Sequence, residues 1–264
     1  MCGIIAVVRS DSTRAVPNPD DISELLSSAA QLLADAEPDQ QVLVAAANSL
    51  DEVNGLLSGL AGVQCLIATP ALVSEITQQA AVVDAELRRL ESELDEGRID
   101  GTELEALNAA VIRLKDANWS IHRDRLRTAA AVVDLCGTDA GAAQVATMLS
   151  VQEALSALDR LAVRGRDSAG LHLLVRTHGL RPDDRALVAA LAERDDPLFG
   201  HRSVHQVDGL LSFVYKAAAE IGELGDNTAV LRSAIGSDHL LARVLSHPDA
   251  RTVVLGHTRW ASVG

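Results

Sequence analysis

The residue with the clearest capacity for chemistry is Cys2, which directly follows the initiator methionine. If Met1 is removed, Cys2 carries both a thiol and a free α-amine. Thiols and α-amines both titrate close to neutral pH, so the amine can take the thiol proton directly or through one water. Gly3 lacks the Cβ that would crowd a substrate carbonyl at the thiolate. This pattern predicts an N-terminal cysteine nucleophile, and the alternative is a cysteine that merely begins a buried edge strand.

A basic, glycine-framed segment in the second half of the chain is a candidate for binding a carboxylate. It reads Arg-Gly-Arg-Asp-Ser-Ala-Gly from Arg164 to Gly170, and the apolar run Leu171–Val175 follows it directly. That run predicts a buried strand. A basic loop that enters a strand is a place where a carboxylate-bearing substrate can be held.

The last stretch of the chain offers a second carboxylate-binding group, Arg259. It follows the predicted strand Thr252–Gly256, and an arginine at the end of a buried strand is unfavourable unless it meets an anion. Its planar fork suits a carboxylate bidentately, and Trp260 beside it could close a lid over the ligand. The alternative for these two residues is a structural salt bridge and a core tryptophan.

Other chemically capable side chains have simpler interpretations. His201 and His205 have the spacing of a helical metal pair, but a third ligand is missing and a loop is expected there. Trp119 and His122 are interpreted as packing residues of a helical region that serves a structural or partner-docking role. No cofactor or metal is therefore predicted.

Composition limits the classes of function. The formal net charge of −14 repels phosphate backbones and anionic lipids, so neither nucleic acid nor a membrane is an expected partner. The start of the chain lacks the basic region of a secretory signal, and the most apolar window, Leu56–Val73, is interrupted by polar residues and glycines. The three widely spaced cysteines form no disulfide or metal pattern, and we predict a reducing, cytoplasmic location.

The elements that must position these residues follow from hydrophobic periodicity. Ile4–Val8 reads as a short apolar strand, and a turn-rich stretch follows from Asp11 to Asp20. Helix is then predicted for more than a hundred residues, including two long segments that form an antiparallel hairpin. The predicted helices cover roughly 20–37, 40–60, 71–97, 102–137, 150–161, 226–235 and 237–245, and strands are predicted at 171–175, 213–216 and 252–256.

Three stretches together resemble the class II glutamine amidotransferases. Cys2-Gly3-Ile4, the Arg164–Gly170 segment and Gly256-His-Thr-Arg-Trp-Ala261 occur in the order seen in that group. Within it, the chain resembles the glutaminase domain of the glutamine–fructose-6-phosphate aminotransferases, the glucosamine-6-phosphate synthases. The His-Thr-Arg-Trp-Ala run is the most discriminating of the three.

The resemblance implies an α+β fold, the N-terminal-nucleophile hydrolase sandwich of two β-sheets between helical layers. It also implies that Cys2 attacks the glutamine side-chain amide, forms a thioester and releases ammonia, which a sugar isomerase domain uses to convert fructose 6-phosphate to glucosamine 6-phosphate. The implied partners are glutamine, a sugar phosphate acceptor and, as a possibility for assembly, further copies of the chain. By the same resemblance Arg259 holds the glutamine α-carboxylate, Trp260 gates the ammonia path, Arg164 supports the nucleophile loop, and Thr258 and Ser262 contact substrate.

The chain departs from the family pattern in several places. Arg166 stands where the synthases usually have tyrosine, and Ser262 and Val263 replace a Thr-His pair. The resemblance covers residues 1–11 and 149–264, so residues 12–148 are interpreted as a helical insertion that mediates oligomer or domain contacts. The family's oxyanion donors would lie beyond Gly264, and their loss is worth on the order of 3–4 kcal/mol of transition-state stabilisation. The sequence therefore predicts an inactive fragment of an amidotransferase.

Two alternatives remain open at this point. Another class II amidotransferase, an amidophosphoribosyltransferase, would share the glutaminase chemistry and differ in the acceptor domain. A catalytically inactive relative would instead use the helical insertion as a binding module, which the replacement of histidine by Val263 favours.

Overall fold

The computed structural model describes residues 2–34, 39–96, 104–163, 165, 167–181, 183–218 and 223–260. The fold is mixed α+β, as predicted. Contacts group the chain into two compact units, one of residues 12–130 and one that joins residues 1–11 to residues 131–264. The sequence placed the second boundary after Met148, and the contacts place it earlier because the helix that begins at Ala142 packs on the sheet of the second unit.

The first unit is helical. Its helices are α1 (Pro19–Ala34), α2 (Gln40–Leu56), α3 (Gly59–Ala68), α4 (Pro70–Asp95) and α5 (Leu104–Trp119), followed by a π-helical segment (Ser120–Arg125) and the first residues of α6 (Leu126–Cys136). Apolar residues recur every three or four positions and are almost fully buried, as Leu43, Leu50 and Leu114 illustrate. The unit thus has a leucine- and alanine-rich core of its own.

The predicted antiparallel hairpin is confirmed for α4 and α5. Lys115 of α5 pairs with Glu91 of α4 at 2.6 Å, and Asn118, further along α5, donates to the backbone oxygen of Ala80 and to Asp84. Rising numbers on one helix therefore meet falling numbers on the other.

Two details of the helical unit differ from the sequence prediction. The helix expected from residue 40 to 60 ends at Leu56, and α3 starts separately at Gly59, which has a positive φ of 65°. Trp119 is 58% exposed rather than packed, because it lies on the outer face of α5.

The second unit is built on one five-stranded antiparallel sheet. Its strands are β1 (Gly3–Val8), β2 (Ser168–Arg176), β3 (Val204–Val207), β4 (Leu210–Ala217) and β5 (Arg251–Arg259), and they lie in the order β1-β5-β2-β4-β3. Its helices are the end of α6, α7 (Ala142–Ala162), α8 (Arg185–Ala192), α9 (Asp226–Gly236) and α10 (His239–Leu245). The two-residue turn Asp208-Gly209 joins β3 to β4, and both residues have positive φ, as a tight hairpin requires.

The two faces of this sheet have different surroundings. On the covered face, α7 packs on β1 and β5 and α9 packs on β2 and β4, burying residues such as Leu171, Phe213 and Val254. On the other face, Ile4 and Val8 are 81% and 71% exposed. We call this second side the open face.

The open face bears on two expectations. Strand β1, read from its sequence as a short apolar strand, is an edge strand of which every second side chain is exposed. The family resemblance implied two sheets, whereas the described residues contain one. The sandwich of two sheets thus remains a proposal.

Within the described residues, no single helix combines the length and the apolar character needed to cross a membrane. One pair of consecutive helices, Gly59–Ala68 and Pro70–Glu93, meets those criteria together, but the chain bends by 104° between them.

Candidate functional site

Cys2 lies at the start of β1 and is the one cysteine of the three that is exposed. Cys65 is buried in the helical unit and Cys136 is half-buried at the end of α6. Burial raises the pKa of both of these thiols, that of Cys136 to about 11. Because the thiolate is the reactive form, Cys2 is the cysteine best placed to act as a nucleophile.

The start of β1 is held in place by two contacts on the covered face. The backbone N–H of Gly3 donates to the side-chain oxygen of Thr258 at 3.2 Å, across 255 residues of sequence. An added Cβ at Gly3 would lie 2.8 Å from Cδ1 of Leu161 on α7. Gly3 therefore permits close packing of a helix on the sheet, and the explanation that it leaves room for a substrate is wrong.

Strand register brings Cys2 to the same end of the sheet as Arg259. Gly3 pairs with Thr258, so Cys2, which directly precedes β1, lies at the end of the sheet where β5 ends with Arg259, and Arg259 pairs with Ser168 of β2. Side chains alternate along a strand, so Arg259 belongs to the open face, opposite to Thr258. The N–H of Asp167 donates to the backbone oxygen of Arg259 at 3.1 Å and fixes this strand end.

Arg259 and Trp260 are both accessible. Arg259 is exposed, so the argument that it needs an anion because it is buried is wrong: water can solvate its guanidinium. Trp260 is 50% exposed directly after the strand. Thr258 is 1% exposed and its oxygen accepts the Gly3 N–H, which suits a positioning role better than the predicted contact with substrate.

A groove of about 330 Å³ crosses the open face beside the Cys2 end of the strands. Its walls include Ile4, Leu255 and Phe199, and its polar groups are His172, His257 and Lys216. His257 lies over Gly170, where a Cβ would come within 2.7 Å of the imidazole Cε1. No role was predicted for His257, although residues alternate between the faces of a strand and His257 therefore shares a face with Arg259, two positions later.

Comparison with protein-family models, with curated proteins and with solved structures gives no match for this chain. The interpretation of the site therefore depends on its residues and their geometry.

Two of the predicted site residues lie outside the described residues. These are Arg164 and Ser262, and the departures at Arg166 and Val263 lie outside as well. Of the basic segment, Gly165 is buried in the turn that follows α7, and Ser168 begins β2.

The two histidines with metal-like spacing bind other groups. Nδ1 of His201 accepts the backbone N–H of Lys216 at 3.1 Å, whereas His205 pairs with Asp195 at 3.2 Å and packs against Phe199. Within the described ranges, no three potential ligands among His, Cys, Asp and Glu come together for a metal. The pKa of His172, which hydrogen-bonds to Ser212, is lowered by burial and by the nearby His205.

The site thus combines an exposed thiol, a solvated guanidinium at the adjoining strand end and a groove with apolar walls. A thiolate can attack an electrophilic carbonyl carbon, and a guanidinium can orient a substrate through its carboxylate. This combination suits acyl transfer from a small substrate that carries a carboxylate.

Proposed function

We propose that the chain is the glutaminase part of a class II glutamine amidotransferase. The Cys2 thiolate adds to the side-chain amide carbon of glutamine, and the tetrahedral adduct collapses to a thioester as ammonia leaves with a proton from the α-amine of Cys2. Water then attacks the thioester carbon, releasing glutamate and regenerating the thiol. Arg259 pairs with the α-carboxylate of glutamine throughout.

The observation that carries this proposal is that Cys2 directly precedes β1 at the end of the sheet where β5 ends with Arg259. The family resemblance predicted roles for both residues, and the β1–β5 register supports a shared site. The covered-face contacts of Gly3 and Thr258 support a fixed position for the nucleophile, which acyl transfer requires.

The finer fold that we propose is the N-terminal-nucleophile hydrolase sandwich. Its support is the open face, where apolar side chains such as Ile4 and Val8 are exposed while the opposite face is covered by helices. A second sheet packed on this face would bury those exposed apolar side chains.

We propose that the ammonia serves the amination of a sugar phosphate, fructose 6-phosphate, at a separate isomerase domain. This part of the proposal depends on the His257-Thr258-Arg259-Trp260 motif, and a phosphoribosyl acceptor is the alternative. A cytoplasmic location follows from the same metabolic role.

For the helical unit we propose a contact role in assembly. The exposed Trp119 supports it, since large aromatic side chains are enriched in interfaces. A Trp119→Ser variant of the full chain should show a lower mass by light scattering if copies of the chain associate through this surface. An unchanged assembly with unchanged activity would contradict the role.

The experiment that tests the glutaminase proposal is covalent labelling by a glutamine analogue with a diazoketone in place of the amide. We expect one adduct in the intact mass, located on Cys2, and a chain that has lost Met1. Free glutamine should slow the labelling, because it occupies the same site.

Matched cysteine variants provide the control. Cys2→Ala should abolish both the adduct and any release of ammonia from glutamine, whereas Cys136→Ala should leave both unchanged. Labelling that persists in Cys2→Ala, or a chain that keeps Met1, would contradict the assignment of the nucleophile. Exclusive labelling of Cys2 by iodoacetamide but not by the analogue would show a reactive thiol without a glutamine site.

A further inference from the structure

A second cavity, of about 450 Å³, lies at the opposite end of the sheet from Cys2. Three arginines line it, and each stands at a strand end: Arg9 follows β1, Arg176 ends β2 and Arg251 begins β5. The other lining groups include Asp11, Thr177 and Asp249. Three guanidinium groups around one cavity are unusual in a chain whose net charge is −14.

Two of these arginines directly oppose each other. Arg176 and Arg251 form a cross-strand pair in the β2–β5 register, and alternation places both on the open face. Like charges in this position repel each other and weaken the pairing of the strands. An anion bound between the two guanidinium groups would attract both of them and so offset their repulsion.

The three arginines differ in how far their hydrogen-bonding capacity is used. Arg9 donates to Ser150 at 2.8 Å and pairs with Glu153 at 2.5 Å, both on α7. Arg251 pairs with Asp11 at 2.7 Å and donates to the backbone oxygens of Pro248 and Ala250. In contrast, the guanidinium of Arg176 is exposed and has no hydrogen-bond or ionic partner among the described residues.

The wall of the cavity beside Arg176 has an unusual backbone conformation. Thr177 has a φ of 52°, which is rare for a β-branched residue, and its hydroxyl donates to the backbone oxygen of Asp249. That bond ties the end of β2 to the loop that precedes β5. The two opposed arginines are therefore held close together by the register and by this turn.

We propose that this cavity binds a phosphate-class dianion, bridged by Arg176 and Arg251. Phosphate offers oxygens in the geometry that two guanidinium forks recognise, and the bonds are charge-assisted. Asp11 competes for Arg251 from a position in which its side chain is 77% exposed, so an anion can replace it without burying a free carboxylate. Inorganic phosphate and a phosphate monoester share this chemistry.

The test is isothermal titration of the full chain with inorganic phosphate at constant ionic strength, with chloride as the reference anion. We expect saturable binding that falls by at least about tenfold in Arg176→Gln, because the free guanidinium is lost. Asp11→Asn should bind phosphate several-fold more tightly, because it removes the competing carboxylate. Arg160→Gln is the control and should bind phosphate like the wild type. Arg160 is exposed on α7 and lies about 15 Å along the helix from Ser150, the residue that contacts Arg9.

Each outcome decides for or against the anion site. Equal binding by Arg176→Gln and the wild type, or heat that chloride reproduces at the same ionic strength, would overturn it. If circular dichroism showed that Arg176→Gln is unfolded, an unchanged phosphate affinity in Asp11→Asn would overturn the anion site equally.

A parallel titration with glycerol 3-phosphate identifies the source of the ligand, since tighter binding than that of inorganic phosphate indicates a phosphorylated metabolite. The proposal does not depend on the glutaminase assignment, because none of these readouts involves Cys2.

Discussion

The two faces of the sheet use the same strands for different purposes. On the covered face, Phe213, Tyr215 and Leu171 are almost completely buried beneath helices. On the open face, the last part of β5 holds accessible residues with reactive or charged groups, such as His257 and Arg259, whereas Ser212 and Val214 of β4 are buried on that face as well. Where successive residues alternate between buried and exposed, as in β1 and at the end of β5, adjacent substitutions should have opposite consequences. The covered face should govern stability and the open face should govern chemistry.

The largest effect on stability is expected for Phe213→Ala on the covered face. The ring is fully buried between strands and lies 5.6 Å below the guanidinium of Arg194. Truncation of such a side chain leaves a cavity and costs about 3–5 kcal/mol in the free energy of unfolding. Urea denaturation measures this value. The control is Leu255→Ala on the open face, where 38% exposure predicts a markedly smaller loss, and equal losses would contradict the division between the faces.

The next effect concerns the buried carboxylate that ties β4 to α10. Asp238 accepts two hydrogen bonds from Arg194, at 2.8 and 2.7 Å, and one from the Tyr215 hydroxyl at 2.7 Å. Its side chain is 1% exposed. Asp238→Asn should therefore cost about 3 kcal/mol at pH 7, because it leaves the guanidinium of Arg194, 18% exposed, without its counter-charge.

The same substitution should alter the response to acid. Burial alone would raise the pKa of Asp238, but the hydrogen bonds from Arg194 and Tyr215 outweigh it and the pKa is lowered. A lowered pKa in the folded state contributes stability above the ordinary carboxyl pKa of about 4, and that stability is lost as the pH falls through the folded value. The free energy of unfolding of Asp238→Asn should consequently fall less steeply below pH 4 than that of the wild type. Parallel slopes would exclude Asp238 as a source of acid sensitivity.

The helical unit and the sheet differ in how much the sequence reveals. Helices α1, α4 and α5 follow from apolar residues at local spacings. The antiparallel hairpin of α4 and α5 follows from the length of these two helices and the short break between them. The strand order β1-β5-β2-β4-β3 has no such local signal, because β1 pairs with a strand near the other end of the chain. Helix α8 and strand β3 were not predicted, although each has a local signal. The side chain of Asp184 caps α8, and the Asp208-Gly209 pair that follows β3 is a standard hairpin signal.

The candidate sites show the same division. Roles for Cys2 and Arg259 in one site were predicted from family motifs, and periodicity alone would not bring β1 and β5 together. The arginine cavity was not predicted, because Arg9, Arg176 and Arg251 are far apart in the sequence and each reads as an ordinary polar residue at a strand end. Only the register reveals that Arg176 and Arg251 are direct neighbours.

A smaller change tests the packing behind the nucleophile. Gly3→Ala introduces a Cβ at 2.8 Å from Cδ1 of Leu161, so the Leu161 side chain, α7 or β1 must move, and we expect a loss of about 1–3 kcal/mol. The shift should also change the rate at which iodoacetamide modifies Cys2. Ile4→Ala, one residue later and on the open face, should leave stability within about 0.5 kcal/mol of the wild type. If Gly3→Ala were equally neutral, the close contact with α7 would not determine the position of Cys2.

The smallest effect on stability, paired with a large effect on chemistry, is expected for Arg259→Gln. Its exposed guanidinium should contribute within about 0.5 kcal/mol to the free energy of unfolding. If it holds the glutamine α-carboxylate, however, a charge-assisted bond of about 1.5–3 kcal/mol is lost, and labelling by the diazoketone analogue should require roughly ten- to a hundredfold more reagent. Lys216→Gln, a change of the same charge in the open-face groove, should alter labelling little. Equal losses in both variants would mean that the open face attracts the ligand by net charge alone, whereas a loss confined to Arg259→Gln would assign the carboxylate to the end of β5.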